Sequence, residues 1–147
     1  MPRNSVAYDD DFFAWTMEQA RLLREGALSD IDTLNLAEEI ESMGKNNRRE
    51  LGSRLVVLLM HLLKWRYQPN RRSPSWGTTV RDQRDEIEEL PADSPSLRPV
   101  VQDTLSAVYA RARRKAISET GLPENAFPAD CPFTPEQILS EDFLPEG

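Results

Sequence analysis

Residues Leu55 to Leu63 are apolar in every position but one, His61, and charged residues, Arg54 and Lys64, stand on either side. This run belongs to a longer pattern. Leu36, Ile40, Met43, Asn47, Leu51, Leu55, Leu58, Leu62 and Trp65 follow one another at spacings of three or four, the spacing of one helix face. The pattern predicts a single long helix from near Asp30–Thr33 to about Tyr67, ended by Pro69. Between Arg54 and Lys64 such a helix has no polar face except His61, so it must be the central element, covered on most sides by others. The stripe does not slip at Gly44. A glycine in a helix interior costs up to about 1 kcal/mol relative to alanine, so a kink or break around residues 44–47 is the alternative.

Punctuation places the remaining helices. Asp9, Asp10 and Asp11 offer an N-cap and negative charge where the helix dipole favours it, and Gly26 offers a C-terminal stop. They frame a first helix from about Asp10 to Glu25, with Phe12, Trp15, Ala20, Leu22 and Leu23, together with Phe13 and Met17, on a broad apolar face. Ser73-Pro74, Ser94-Pro95 and Thr134-Pro135 each fit an N-cap followed by proline at the first helical position. The first opens a helix to about Leu90, with Trp76, Val80, Gln83, Ile87 and Leu90 on one face. The second opens one to about Thr120, closed by Gly121, with Leu97, Val101, Leu105, Val108 and Ala112 inward. The third adds Gln137 at N3, a capping box for a short helix over residues 135–140.

No stretch alternates with period two, and no Asn-Gly or Asp-Gly hairpin signal occurs. The expected architecture is all-α: a bundle-like domain of four main helices, one of them long and central. A Pro-rich C-terminal strap carries a short helix. Phe127, Phe133, Ile138, Leu139, Phe143 and Leu144 make this strap too apolar for a free tail. With 147 residues the chain fits one domain over residues 1–147, residues 1–8 forming a loose tail.

The net charge of −7 argues against a surface built throughout for nucleic acid or anionic membrane. The charge is uneven. Residues 45–84 hold ten Lys/Arg and two acids, residues 1–44 three and ten, residues 85–147 five and thirteen. A cationic middle between anionic ends suggests internal complementarity first and a basic face for an acidic partner second. The single cysteine, Cys131, allows no disulfide within the chain and fits a reducing compartment. It reads as a small, partly buried apolar residue. The first residues lack the apolar core of a signal peptide, and no apolar run approaches the roughly 20 residues of a membrane span. The expected location is cytoplasmic, with no membrane partner.

The basic stretch has a core, Lys64-Trp65-Arg66-Tyr67-Gln68-Pro69-Asn70-Arg71-Arg72-Ser73-Pro74-Ser75-Trp76, in which cations alternate with rings. Arg66, Arg71, Arg72, Arg81 and Arg84 could neutralise phosphates while Trp65, Tyr67 or Trp76 stack on bases. Alternatively Trp65 and Trp76 are packed, and the arginines bond helix C-terminal carbonyls and the chain's own acids. No named nucleic-acid motif is present.

Several signatures together resemble one family. They are Tyr8-Asp9-Asp10-Asp11-Phe12-Phe13-Ala14-Trp15-Thr16, Asn35 through Gly44, His61-Leu62-Leu63-Lys64-Trp65 with Gln68-Pro69, Ser94 through Arg98, and Gly121-Leu122-Pro123 with Phe127-Pro128 and Cys131-Pro132-Phe133-Thr134. In combination, from about residue 8 to 145, they are similar to the bacterial domain-of-unknown-function family number twenty-nine. The resemblance implies a small all-helical bacterial protein. It implies no activity, substrate or cofactor, and no catalytic residue is carried over.

His61, the one histidine, reads as a hydrogen-bonded packing residue. As a metal ligand it would need carboxylates such as Glu38 and Glu41, which share a face at i, i+3. On a continuous helix these lie 23 residues from His61 in the case of Glu38, roughly 35 Å at 1.5 Å per residue. They would meet only in a helix folded back at Gly44 or across an antiparallel dimer. No Gly-rich phosphate loop, Gly-x-Ser-x-Gly or His-Glu-x-x-His occurs, so no cofactor is expected and an enzyme is not supported. The leading reading is a non-enzymatic module that binds a protein partner or itself. Behind it stand a nucleic-acid-associated protein using residues 64–84, including Tyr67, and a metal-dependent enzyme using Glu38, Glu41 and His61.

Overall fold

A computed structural model describes residues 7–93 and 95–146, for residues 90–93 the backbone alone. Its α-helices are α1 (Phe12–Glu25), α2 (Thr33–Tyr67), α3 (Pro74–Asp93), α4 (Arg98–Thr120) and α5 (Pro135–Leu139), joined by short 3₁₀ turns, with no strand among the described residues. The protein is all-α with one long helix, as the periodicity predicts. α2 runs without a break through Gly44. The chain forms two compact units, one up to Lys45 and one from Asn46, so the division falls inside α2.

In the first unit α1 starts at Phe12, two residues later than expected, because Asp11 is the cap: its carboxylate accepts from the Ala14 amide at 3.1 Å. Gly26 ends the helix at φ 72°, a left-handed conformation open to glycine at little cost. The broad apolar face narrows sharply. Trp15, Gln19 and Leu22 are buried, whereas Phe12, Phe13, Met17 and Leu23 are exposed. Polar bonds lock the buried edge to the start of α2. The Trp15 indole donates to Asp32 at 3.0 Å, the Asp32 amide donates to Gln19 Oε1 at 2.7 Å, and the Asn35 amide group donates to Asp32 at 2.8 Å. The donors on Asn35, and then Trp15, hold the Asp32 carboxyl below the usual carboxylate range. The Tyr8 hydroxyl donates to Glu39, a bond that pushes its pKa up to about 12. The expected packing stripe of α2 is only partly covered here: Leu36 is half-buried, but Ile40 is 64% and Met43 68% exposed. Of the tail expected over residues 1–8, residues 1–6 lie outside the described residues.

In the second unit the apolar stretch of α2 is central. Leu51, Leu55, Leu58, Leu59, Leu62 and Leu63 are 0% exposed, each worth about 1.5–3 kcal/mol relative to an exposed side chain. Val80 and Ile87 of α3, Val101, Leu105, Val108, Tyr109, Ala112 and Ala116 of α4, and Phe127, Phe133 and Ile138 of the strap join the same core. Ser73 caps α3 by accepting from the Trp76 amide at 3.4 Å. α3 runs to Asp93 rather than Leu90. The capping box of Thr134 and Gln137 is present on α5. α4 departs from expectation: a 3₁₀ turn occupies Pro95–Leu97 and the α-helix begins at Arg98 behind Leu97. The cap expected at Ser94 and the inward side chain expected at Leu90 lie outside the described residues. Gly121 closes α4 at φ 72°. The strap docks through Phe127, Phe133 and Ile138, leaving Leu139 and Leu144 exposed. Backbone anchors reinforce it: Tyr109 donates to the Pro128 carbonyl at 2.7 Å, and Arg113 donates to the carbonyls of Glu124 at 2.7 Å and Phe127 at 3.2 Å. No helix among the described residues is long and apolar enough to cross a membrane.

Candidate functional site

The basic-aromatic segment leaves the end of α2, turns at Pro69–Arg71 and enters α3. Its cations separate into two groups. Lys64 is buried, its ammonium 2.9 Å from Glu119 and 4.7 Å from the centre of the Trp76 ring. Arg72 donates from Nε to the Trp65 carbonyl at 2.7 Å and lies over the Trp65 ring at 5.2 Å. It thereby satisfies a carbonyl at the C-terminus of α2, where positive charge is favoured. Arg84 is 5% exposed and donates to the carbonyls of Ile138 at 2.8 Å and Gln137 at 3.2 Å, closing the end of α5. These three are built into the fold.

The second group faces outward. Arg71 and Arg81 are exposed, and Arg66 is half-buried over the ring of Tyr67 at 5.5 Å. Tyr67 itself meets Phe127 edge to face at 5.5 Å, and Trp65 and Trp76 are half-buried. The six candidates Arg66, Tyr67, Arg71, Arg72, Arg81 and Arg84 therefore do not form one uniform basic face: Tyr67, Arg72 and Arg84 hold the second unit together.

His61 is half-buried, and its Nδ1 lies 2.9 Å from the Val57 carbonyl one turn back. Desolvation holds its pKa below the usual imidazole value, with the Val57 carbonyl working in the opposite direction. Glu38 and Glu41 are exposed in the first unit. Among the described residues no three or more His, Cys, Asp or Glu side chains are grouped so as to hold a metal ion. Cys131 is exposed as a residue, while its thiol is partly covered. Its Sγ donates to the Phe133 carbonyl at 3.4 Å, and desolvation pushes the thiol up. An activated thiolate needs the opposite shift.

The titration of His61 has a measurable consequence. Its folded pKa lies below the unfolded value of about 6.5, so the unfolded chain binds the proton first as pH falls. The stability contributed by the neutral imidazole is present above that value and is lost as pH drops from it towards the folded pKa. Urea midpoints measured between neutral and mildly acidic pH should fall more steeply in the wild type than in His61→Gln. Parallel curves would contradict the buried imidazole.

A family model described as domain of unknown function DUF29 matches residues 7–144. The chain belongs to the DUF29 family. No curated protein and no solved structure matches it. In this DUF29 protein, two features carry functional interest that the sequence reading missed. One is the outward apolar display of residues 12–43. Amphipathic spacing marks such side chains as a face, but only tertiary structure tells whether anything covers it. The other is a cleft of about 430 Å³ lined by Arg84, Ile87, Glu88, Arg98, Val101, Gln102, Leu139 and Glu141. Its lining comes from three helices and the strap, so no local motif announces it. The basic excess of residues 45–84 did flag Arg84, and its bonds to the Gln137 and Ile138 carbonyls are of the kind expected if the arginines serve helix C-termini rather than phosphates.

Proposed function

We propose that this protein is a non-enzymatic interaction module whose contact surface lies on residues 12–43 and whose partner presents a basic, apolar surface. The observation that carries the reading is the exposure of large apolar side chains on regular helix. Phe13 and Met17 stand one turn apart on α1 at 73% and 56% exposure, and Ile40 and Met43 stand one turn apart on α2 at 64% and 68%. Grouped apolar exposure of this kind marks protein-binding surfaces more often than single exposed residues do. Charge points to the partner's chemistry. Residues 1–45 carry ten acids and four Lys/Arg, so two copies of this surface would repel, whereas a cationic amphipathic helix would gain on both counts.

The nucleic-acid reading is weaker because Lys64, Arg72 and Arg84 are already bonded within the fold. That leaves fewer cations to release counterions from phosphates. The test is titration of the purified protein with a synthetic amphipathic helix of leucine and lysine, and with its leucine–glutamate counterpart. The expected result is saturable binding of the basic peptide only, weakened about tenfold in Phe13→Ser or Met43→Ser. Equal binding of both peptides, or of neither, overturns the reading. Concentration-dependent dimerisation abolished by Phe13→Ser transfers the surface to self-association.

A further inference from the structure

Arg84 has an unusual position for a cation. It is 5% exposed, and its Nε and Nη2 donate to two neutral backbone carbonyls, those of Ile138 and Gln137. Among the described residues no carboxylate pairs with it within 4.0 Å. Burial of a cation without a close counter-charge is costly, and desolvation correspondingly lowers the Arg84 pKa, only partly offset by Asp142. Its remaining nitrogen, Nη1, makes no hydrogen bond among the described residues. Among the described residues no buried side-chain nitrogen or oxygen is left unpartnered, so Nη1 is not sealed off, and Arg84 lines both a cleft and a smaller recess beside it.

The rest of that cleft has a definite chemistry. Ile87 and Val101, 2% and 4% exposed, and the half-open Leu139 form an apolar wall. Two cations, Arg84 and Arg98, and two anions, Glu88 and Glu141, line the same space of about 430 Å³. A smaller recess shares Arg84 and Glu141 and adds Arg81, Asp85 and Asp142. Balanced charges exclude a simple anion or cation as the best complement, since either would meet like charge. The volume lies at the small end of ligand pockets, which run from about 300 to 1,000 Å³.

We propose that the cleft between α3, α4 and the strap binds an apolar amino acid as its zwitterion. The carboxylate takes Arg84 Nη1 and Arg98, the ammonium takes Glu141 and Glu88, and the side chain rests on Ile87, Val101 and Leu139. A charge-assisted bond to Arg84 supplies the counter-ion that the fold itself withholds. This site is in the second unit and stands independently of the surface on residues 12–43.

Calorimetric titration of the full chain with four probes tests it: leucine, N-acetyl-leucine, leucinamide and glycine. Leucine should bind with one site per chain. N-acetyl-leucine lacks the ammonium and leucinamide the carboxylate, and each should bind about tenfold more weakly or worse. Glycine, without an apolar body, should not bind measurably. Arg84 supports the strap, so the variants that read the site are Glu141→Gln and Arg98→Gln, both at exposed positions. Each should weaken leucine about tenfold while leaving the urea midpoint of the free protein unchanged. Absence of leucine binding overturns the proposal. So does N-acetyl-leucine or leucinamide binding as well as leucine, or leucine affinity that neither variant changes.

Discussion

Replacing Leu58 or Leu62 with alanine should lower stability by about 2–5 kcal/mol. Both side chains are 0% exposed and lie in the stretch of α2 that α3, α4 and the strap surround. Truncation removes the transfer free energy of three carbons and leaves a cavity that neighbours on every side cannot collapse into, because each is itself held in the packed core. Urea unfolding followed by circular dichroism measures the loss as a fall in midpoint at constant slope. A loss below about 0.5 kcal/mol, the range of ordinary surface substitutions, would show that this stretch is peripheral.

Phe127→Ala should cost about 3–5 kcal/mol, the range for a buried phenylalanine. Phe127 is 1% exposed and meets Tyr67 edge to face at 5.5 Å. Its carbonyl accepts from Arg113, and the Pro128 carbonyl beside it accepts from Tyr109. The ring therefore holds the strap against α2 and α4 at the point where backbone bonds also converge. Loss of the ring should make the strap accessible to limited proteolysis under conditions in which the wild type is cut slowly. A variant as stable and as resistant as wild type would mean that the strap rests on the helices without stabilising them.

The helices of this protein are legible in its sequence because the signals for them are local. Apolar spacing of three and four, proline and capping residues at helix starts, and glycine at helix ends act within a few residues of where they stand. Asp11, Gly26, Ser73, Thr134 and Gly121 all serve as the ends such reasoning assigns, within a residue or two. The misplaced start of α4 has a local reason as well. A second proline, Pro99, fits the first turn of a helix as well as Pro95 does, and the chain uses a 3₁₀ turn at one and the α-helix at the other.

Burial was not legible in the same way. The stripe on α2 keeps one spacing from Leu36 to Trp65, yet Leu51, Leu55, Leu58 and Leu62 are sealed while Ile40 and Met43 are open. Periodicity states that a helix has an apolar face. Whether another element reaches that face depends on residues far away in the chain, here those of α3, α4 and the strap. The cations divide on the same ground. Arg71 and Arg84 look alike in a basic segment, but one is exposed and the other closes the end of α5, a contact across 54 residues to the Ile138 carbonyl. By itself the sequence determined the all-α class, the helix positions and the central place of Leu55 to Leu63, since each follows from interactions along the backbone. Only the tertiary structure decided which apolar faces stay open, which arginines are internal and where a cleft lies, since each depends on contacts between segments distant in sequence.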